Sequence, residues 1–110
     1  MSTFTGHEDH SIGLGVASDM TSNYRASLGT GDSPIIGGYF GCDAINAILA
    51  QTGCVGIRYY YGLNESGTES VPVLILVGVD ADGNDLYEGE LAEIAITCPP
   101  VCGSSNSLNS

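Results

Sequence analysis

The chain has no lysine and no tryptophan, and only two cations, Arg25 and Arg58, stand against thirteen aspartates and glutamates. At a formal charge of −11 it would repel nucleic acid and has almost nothing with which to displace the counterions around phosphates, which argues against that class of partner. Anionic membrane surfaces are disfavoured for the same reason. A basic protein, a divalent cation, or a further copy screened by salt are the partners that the charge allows. Without lysine, Schiff-base chemistry and the usual phosphate-binding side chain are also missing.

Long apolar runs are absent too. The longest, "VPVLILVGV" at 71–79, falls far short of the ~20 residues that cross a bilayer. The opening "MSTFTGHEDHSIGLG" has no basic segment followed by an apolar one, so classical secretion is not expected. The reading is a soluble, cytoplasmic protein, with non-classical release left open. No nucleophile has a base nearby in sequence, there is no G-x-S-x-G and no phosphate-binding glycine loop, and "GLGVAS" at 13–18 lacks the preceding strand that a dinucleotide site needs. An enzyme is not expected, and no cofactor is implied.

What is present is enough to fold. At 110 residues and 43% hydrophobic, the chain reads as one packed domain over 1–110, with a polar lead-in at 1–10 and a Ser/Asn tail at 103–110 that is mobile unless something holds it. Ile12, Val16, Met20, Tyr24 and Leu28 recur every fourth residue, which predicts a helix over about 16–28. "LGTGDSPIIGG" then breaks it as a loop. "GCDAINAILAQTGC" predicts a second helix over about 42–51, with Asp43 at the positive end of its dipole, a stripe of Ala44, Ile45, Ile48 and Leu49, and Gly53 as its C-terminal stop.

The second half reads as β. "CVGIRYYYGL" alternates, with Val55, Ile57, Tyr59 and Tyr61 on one face and Arg58 and Tyr60 on the other, predicting a strand over about 55–62. The strand at about 71–79 is apolar on both faces, with Val73, Ile75, Val77 and Val79 opposite Leu74 and Leu76, so both faces need cover. After the turn "DADGND", a third strand is expected over about 85–96, bulged at Gly89. The fold class is therefore α+β: two N-terminal helices packed on a three-stranded antiparallel meander.

Three polar motifs invite chemistry and each has a plainer account. Asp80, Asp82 and Asn84 occupy the first, third and fifth places of a calcium loop, but Asp85 stands where glycine is required and Leu91 where glutamate is, so the segment reads as a β-turn with at most weak cation binding. His7 and His10 are three apart in a segment with no helical support and do not match a zinc helix; Asp9 or Ser11 caps the following helix instead. Arg58 could face an anionic ligand, but cross-strand pairing with Glu88 or Glu90 is the stronger expectation. Tyr59, Tyr60 and Tyr61, with Leu74 and Leu76, are assigned to an interface, where tyrosine is enriched.

The four cysteines are constrained by geometry. A helix of ~10 residues puts Cys42 and Cys54 roughly 15 Å apart, beyond disulfide reach. The polyproline rise across Pro99 and Pro100 holds Cys98 and Cys102 roughly 12 Å apart unless the chain turns, which disfavours a bond inside Cys-Pro-Pro-Val-Cys. Three states stay open: a tail cysteine clamped to Cys42 or Cys54, a bond to a neighbouring subunit, or four free thiols. Zinc would want a tighter C-x2-4-C pair than the 42/54 spacing provides.

Through "YFGCDAINAILAQTGCVGIRYYYGL", "LILVGVDADGNDLYEG" and the C-terminal Cys-Pro-Pro-x-Cys element, the chain resembles a group of small uncharacterised bacterial proteins from Tyr39 to Cys102. The resemblance implies a stable fold and carries over no functional residue. The expectation for function is a structural, self-assembling protein, forming a homo-oligomer or filament through sheet faces, sheet edges and held termini. The alternatives are a small acidic binding module and a carrier for a modified or redox-active Cys-Pro-Pro-Val-Cys tail.

Overall fold

The computed structural model describes residues 4–28, 35–65, 71–93, 96–98 and 103–109. The element order is α1 (Leu14–Ser27), β1 (Gly37–Tyr39), α2 (Cys42–Leu49), β2 (Cys54–Asn64), β3 (Val71–Asp80), β4 (Leu91–Ala92) and β5 (Ile96–Cys98). The chain is α+β, with a three-stranded antiparallel sheet in the order β2-β3-β4 and a separate antiparallel pair, β1-β5. It divides into two compact units, one of Met1–Glu8 with Phe40–Ala95, the other of Asp9–Tyr39 with Ile96–Ser110. No helix among the described residues is long and apolar enough to cross a membrane.

In the first unit, the alternation in "GIRYYYGL" becomes β2. Its ladder with β3 sets Arg58 opposite Val77, Tyr59 opposite Leu76, Tyr60 opposite Ile75 and Tyr61 opposite Leu74, after an irregularity between Cys54 and Gly56. Directly opposed residues share a face. One face therefore carries Ile57, Tyr59, Tyr61, Leu74, Leu76 and Gly78, and the other Arg58, Tyr60, Ile75, Val77 and Val79.

Helix α2 covers the first of these faces at Gly78. A side chain there would meet Ile48 Cγ2 at 3.3 Å, Cys54 Sγ at 3.0 Å and Gln51 Nε2 at 2.8 Å, so the missing Cβ is what lets the helix sit this close. Ile48 is 1% exposed, and with Leu76, Val77 and Val79 it forms the buried hydrophobic core of the described residues. On the opposite face, Val77 lies between its cross-strand partners Arg58 and Leu91, and Val79 between Gly56 and Asp85. Helix α2 ends in a turn in which Gln51 O accepts from Cys54 N at 3.0 Å; Gly53, at φ 82°, belongs to this turn and not to the helix end itself.

The third strand is shorter than the sequence suggested. After Leu86, whose N still donates to Gly78 O of β3, the backbone leaves the ladder as far as Glu90: Gly89 N donates to Leu86 O, and Glu90 N to Gln51 Oε1 at 2.9 Å. Among the described residues only Leu91 and Ala92 rejoin β3, 94–95 of the expected strand lying outside them, and Gly89 lies in the turn instead of in a strand bulge. Gln51 is the cause, since it anchors this loop while donating from its Nε2 to Ile48 O at 2.9 Å.

In the second unit, the glycine-rich loop expected up to Gly38 ends as a strand. Gly37 pairs with Cys98 and Tyr39 with Ile96, and Ile36 N donates to Cys98 O at 2.7 Å. The earlier part of that loop, 29–34, and the 66–70 part of the loop after β2 lie outside the described residues. Helix α1 begins at Leu14, two residues before the predicted start, with Gly13 as its N-cap and no side-chain cap. Asp9 Oδ1 accepts from Ser11 N in a local turn, so neither residue caps the helix as expected. None of α1 is buried. The polar tail is held: Arg25 Nη1 donates to Leu108 O at 2.6 Å, while Asn106 and Asn109 close a turn on Ser104 O.

Candidate functional site

The chemistry-bearing residues of the first unit meet at the turn after β3. Asp80 ends the strand and folds the turn on itself, its Oδ1 accepting from Asp82 N and Asn84 N at 3.0 Å each. Gly83, at φ 86°, takes the left-handed position that a side chain would resist. The Asp80 carboxylate is thus committed to its own backbone. Among the described residues, no group of three or more His, Cys, Asp or Glu is arranged to hold a metal ion.

The turn delivers Asp85 to Arg58 and Tyr60. Arg58 Nη1 donates to Asp85 Oδ1 at 2.5 Å and to Gly83 O at 3.0 Å, and Tyr60 Oη donates to Asp85 Oδ2 at 2.6 Å. The Phe4 ring lies 5.7 Å from the guanidinium carbon, and Phe4 N donates to Ala81 O. The expected partners of Arg58, Glu88 and Glu90, are therefore replaced by Asp85. The reason is the broken third strand, which turns residues 87–90 away from the ladder and leaves Asp85 bridged to Val79, next to the Arg58 register. With Gly83, Asp85 and Phe4 around it, Arg58 braces the fold and is not an open anion site.

Hydrogen bonding sets the protonation of this cluster. The Tyr60 hydroxyl first, and then Arg58, hold the Asp85 carboxyl below its ordinary range, against desolvation that raises it. The bond to Asp85 raises both the Arg58 guanidinium and the Tyr60 phenol. A depressed carboxyl stabilises the fold above its unfolded value, about 3.9, and that contribution is lost as pH falls through the folded value. A raised phenol stabilises below its unfolded value, about 10, and that contribution is lost as pH rises through the folded value. Asp85→Asn should flatten the pH-stability profile at both ends while leaving it nearest to wild type in the acid; equal acid and alkaline losses in wild type and variant, measured by urea midpoint against pH, would remove the cluster from the account.

The structure divides the tyrosines assigned to an interface. Tyr59 and Tyr61 share a face with Leu74 and Leu76, their rings packed edge to face at 5.6 Å between centroids and 79° between planes. Tyr60 stands on the opposite face with Asp85. Leu76 is buried beneath, Leu74 is half-buried, and Tyr61 is 83% exposed.

Cys42, exposed at the start of α2, and half-buried Cys54, whose Sγ lies 3.3 Å from Gly56 O, are both free thiols. Cys98 is disulfide-bonded. A tail cysteine clamped to Cys42 or Cys54 is thereby ruled out. The expectation against a bond inside Cys-Pro-Pro-Val-Cys falls on Pro99, Pro100 and Cys102, which lie outside the described residues.

Two features had no signal in the sequence. Gln51 reads there as a helix-end residue, yet it joins α2 to the loop before β4. Beside it, a shallow cavity of about 320 Å³ is lined by Gln51, Thr52, Asp85, Tyr87 and Glu88, among others. Asp85 and Glu88 make its rim acidic. Compared with protein-family models, with curated proteins and with solved structures, the chain has no match.

Proposed function

We propose that the chain is a structural, self-assembling protein whose role is to form a homo-oligomer or filament. The observation that carries this reading is the distribution of its apolar side chains. The buried hydrophobic core of the described residues is four side chains, while Ile12, Leu14, Val16, Met20 and Tyr24 along and before α1, and Tyr59, Tyr61 and Leu63 on β2, are each half or more exposed. Large apolar side chains left exposed along one helix and on one strand are the mark of surfaces that another protein covers.

The spacing of the α1 residues supports it. Val16, Met20 and Tyr24 recur every fourth residue along the helix, the pattern of a helix that meets an apolar partner, and none of α1 is buried. The charge of −11 opposes association, so salt should favour it. Light scattering behind size exclusion, with reductant present, should give a mass above 11.3 kDa that grows with protein concentration and with salt. Val16→Glu with Met20→Glu should reduce it. A strict monomer at every concentration and salt would overturn the reading.

A further inference from the structure

Strand β2 is an outer strand of its sheet: β3 pairs with one side of it and, among the described residues, no strand lies on the other. It runs Cys54–Asn64; beyond the irregularity between Cys54 and Gly56, where Gly6 packs close to Val55 O, residues 56–64 carry none of the proline, lysine or short length by which exposed edges are usually protected. We infer that this edge pairs antiparallel with β2 of a second copy, about a two-fold axis at Tyr60. The inference rests on the self-association proposed above and specifies its surface.

Three observations on the strand itself choose a second copy as the occupant. The first is charge. From Ala44 to Asn64 there is no acidic residue in a chain that has thirteen, and the carboxylate nearest the edge on the Arg58 face, Asp85, is already bonded to Arg58 and Tyr60. Two copies that repel each other elsewhere meet no carboxylate along this strand.

The second is register. The regular ladder begins at Gly56, beyond the irregularity at Cys54, and runs to Asn64, so its midpoint is Tyr60. Antiparallel pairing about that midpoint uses the whole ladder.

The third is what the pairing brings together. Tyr59 falls opposite Tyr61 of the second copy and Ile57 opposite its Leu63, all on the apolar face, and aromatic and aliphatic cross-strand pairs are those that stabilise a sheet. On the other face Arg58 falls opposite Gly62, which has no side chain to obstruct it. In a two-fold interface each cross-strand pair occurs twice, so the Tyr59–Tyr61 and Ile57–Leu63 pairs are each made at both ends of the ladder. Such an interface closes at two copies. Growth beyond a dimer then needs a second surface, and the α1 stripe is the candidate.

The test uses the full chain under reductant. Tyr61→Lys places a charge on the edge, and because it lowers the net negative charge, weaker association cannot be ascribed to repulsion between chains. At 83% exposure Tyr61 buries little of its surface, so the far-ultraviolet circular dichroism should stay as in wild type. The concentration for dimer formation is expected to rise at least tenfold. For register, Tyr59→Cys is mixed with isotopically labelled Tyr61→Cys under mild oxidation. Opposed Cα atoms of a ladder lie about 4.5–5.5 Å apart, inside the disulfide limit, so peptide mapping should find 59-to-61 links between labelled and unlabelled copies in preference to 59-to-59 links.

Unchanged association of Tyr61→Lys, with Val16→Glu and Met20→Glu abolishing it, would overturn the β2 pairing and leave self-assembly standing. Equal yields of 59-to-59 links would overturn the register. A wild-type chain that stays monomeric would overturn both proposals.

Discussion

Ile48→Ala is expected to lower stability by about 2–5 kcal/mol, read as a fall in the urea midpoint at unchanged slope. Ile48 is the one fully buried side chain among the described residues and projects from α2 onto the sheet at Gly78. Its removal leaves a cavity, and Gln51 and Cys54, which crowd the same Gly78, are held in place by their bonds to Ile48 O, Glu90 N and Gly56 O. In a domain whose total stability is of order 5–15 kcal/mol, such a loss unfolds a large part of the population on mild heating. Ile45→Ala, on the same helix but half-buried, should lose less. Equal effects at the two positions would mean that α2 is not held through Ile48.

The sequence made α2, β2, β3 and the turn at 80–85 legible because each is specified locally. Helix and strand periods fix which side chains share a face, and the order Asp-x-Asp-Gly between two apolar runs fixes the turn through bonds of Asp80 to residues two and four further on. The alternation also placed Arg58 and Tyr60 together, opposite Tyr59 and Tyr61. What escaped is specified over long range. The bond from Gln51 to Glu90 spans 39 residues, and it breaks what the pattern of 85–96 presents as one continuous strand.

The break in the third strand also changes the partner of Arg58. With Glu88 and Glu90 counted along an unbroken strand, they fell opposite Arg58; once residues 87–90 leave the ladder, Asp85 is the carboxylate in reach. The stripe on α1 shows the same limit from the other side. Its period fixed the helix to within two residues, but a period says that a face is apolar and not what covers it. The tail is a further case: nothing near 103–110 indicates that Arg25 reaches Leu108 O across 83 residues.

Gly78→Ala carries the second large effect, about 1–3 kcal/mol of overpacking at the same interface. The added Cβ would sit 2.8 Å from Gln51 Nε2, 3.0 Å from Cys54 Sγ and 3.3 Å from Ile48 Cγ2. The amide of Gln51 is the softest of these and yields first, and in yielding it gives up its bonds to Ile48 O and Glu90 N, so the loop before β4 loosens together with α2. Hydrogen exchange should therefore rise at Glu90 and Leu91 as well as in the helix, a pairing that crowding of the helix alone would not produce. The sulfur is the second obstacle, and Cys54→Ala removes it. Combined with Gly78→Ala, it should recover part of the loss, so that the double variant is more stable than the sum of the single effects by at least ~0.5 kcal/mol. Strict additivity would show that the glycine is not required by the approach of α2 and its flanking turn.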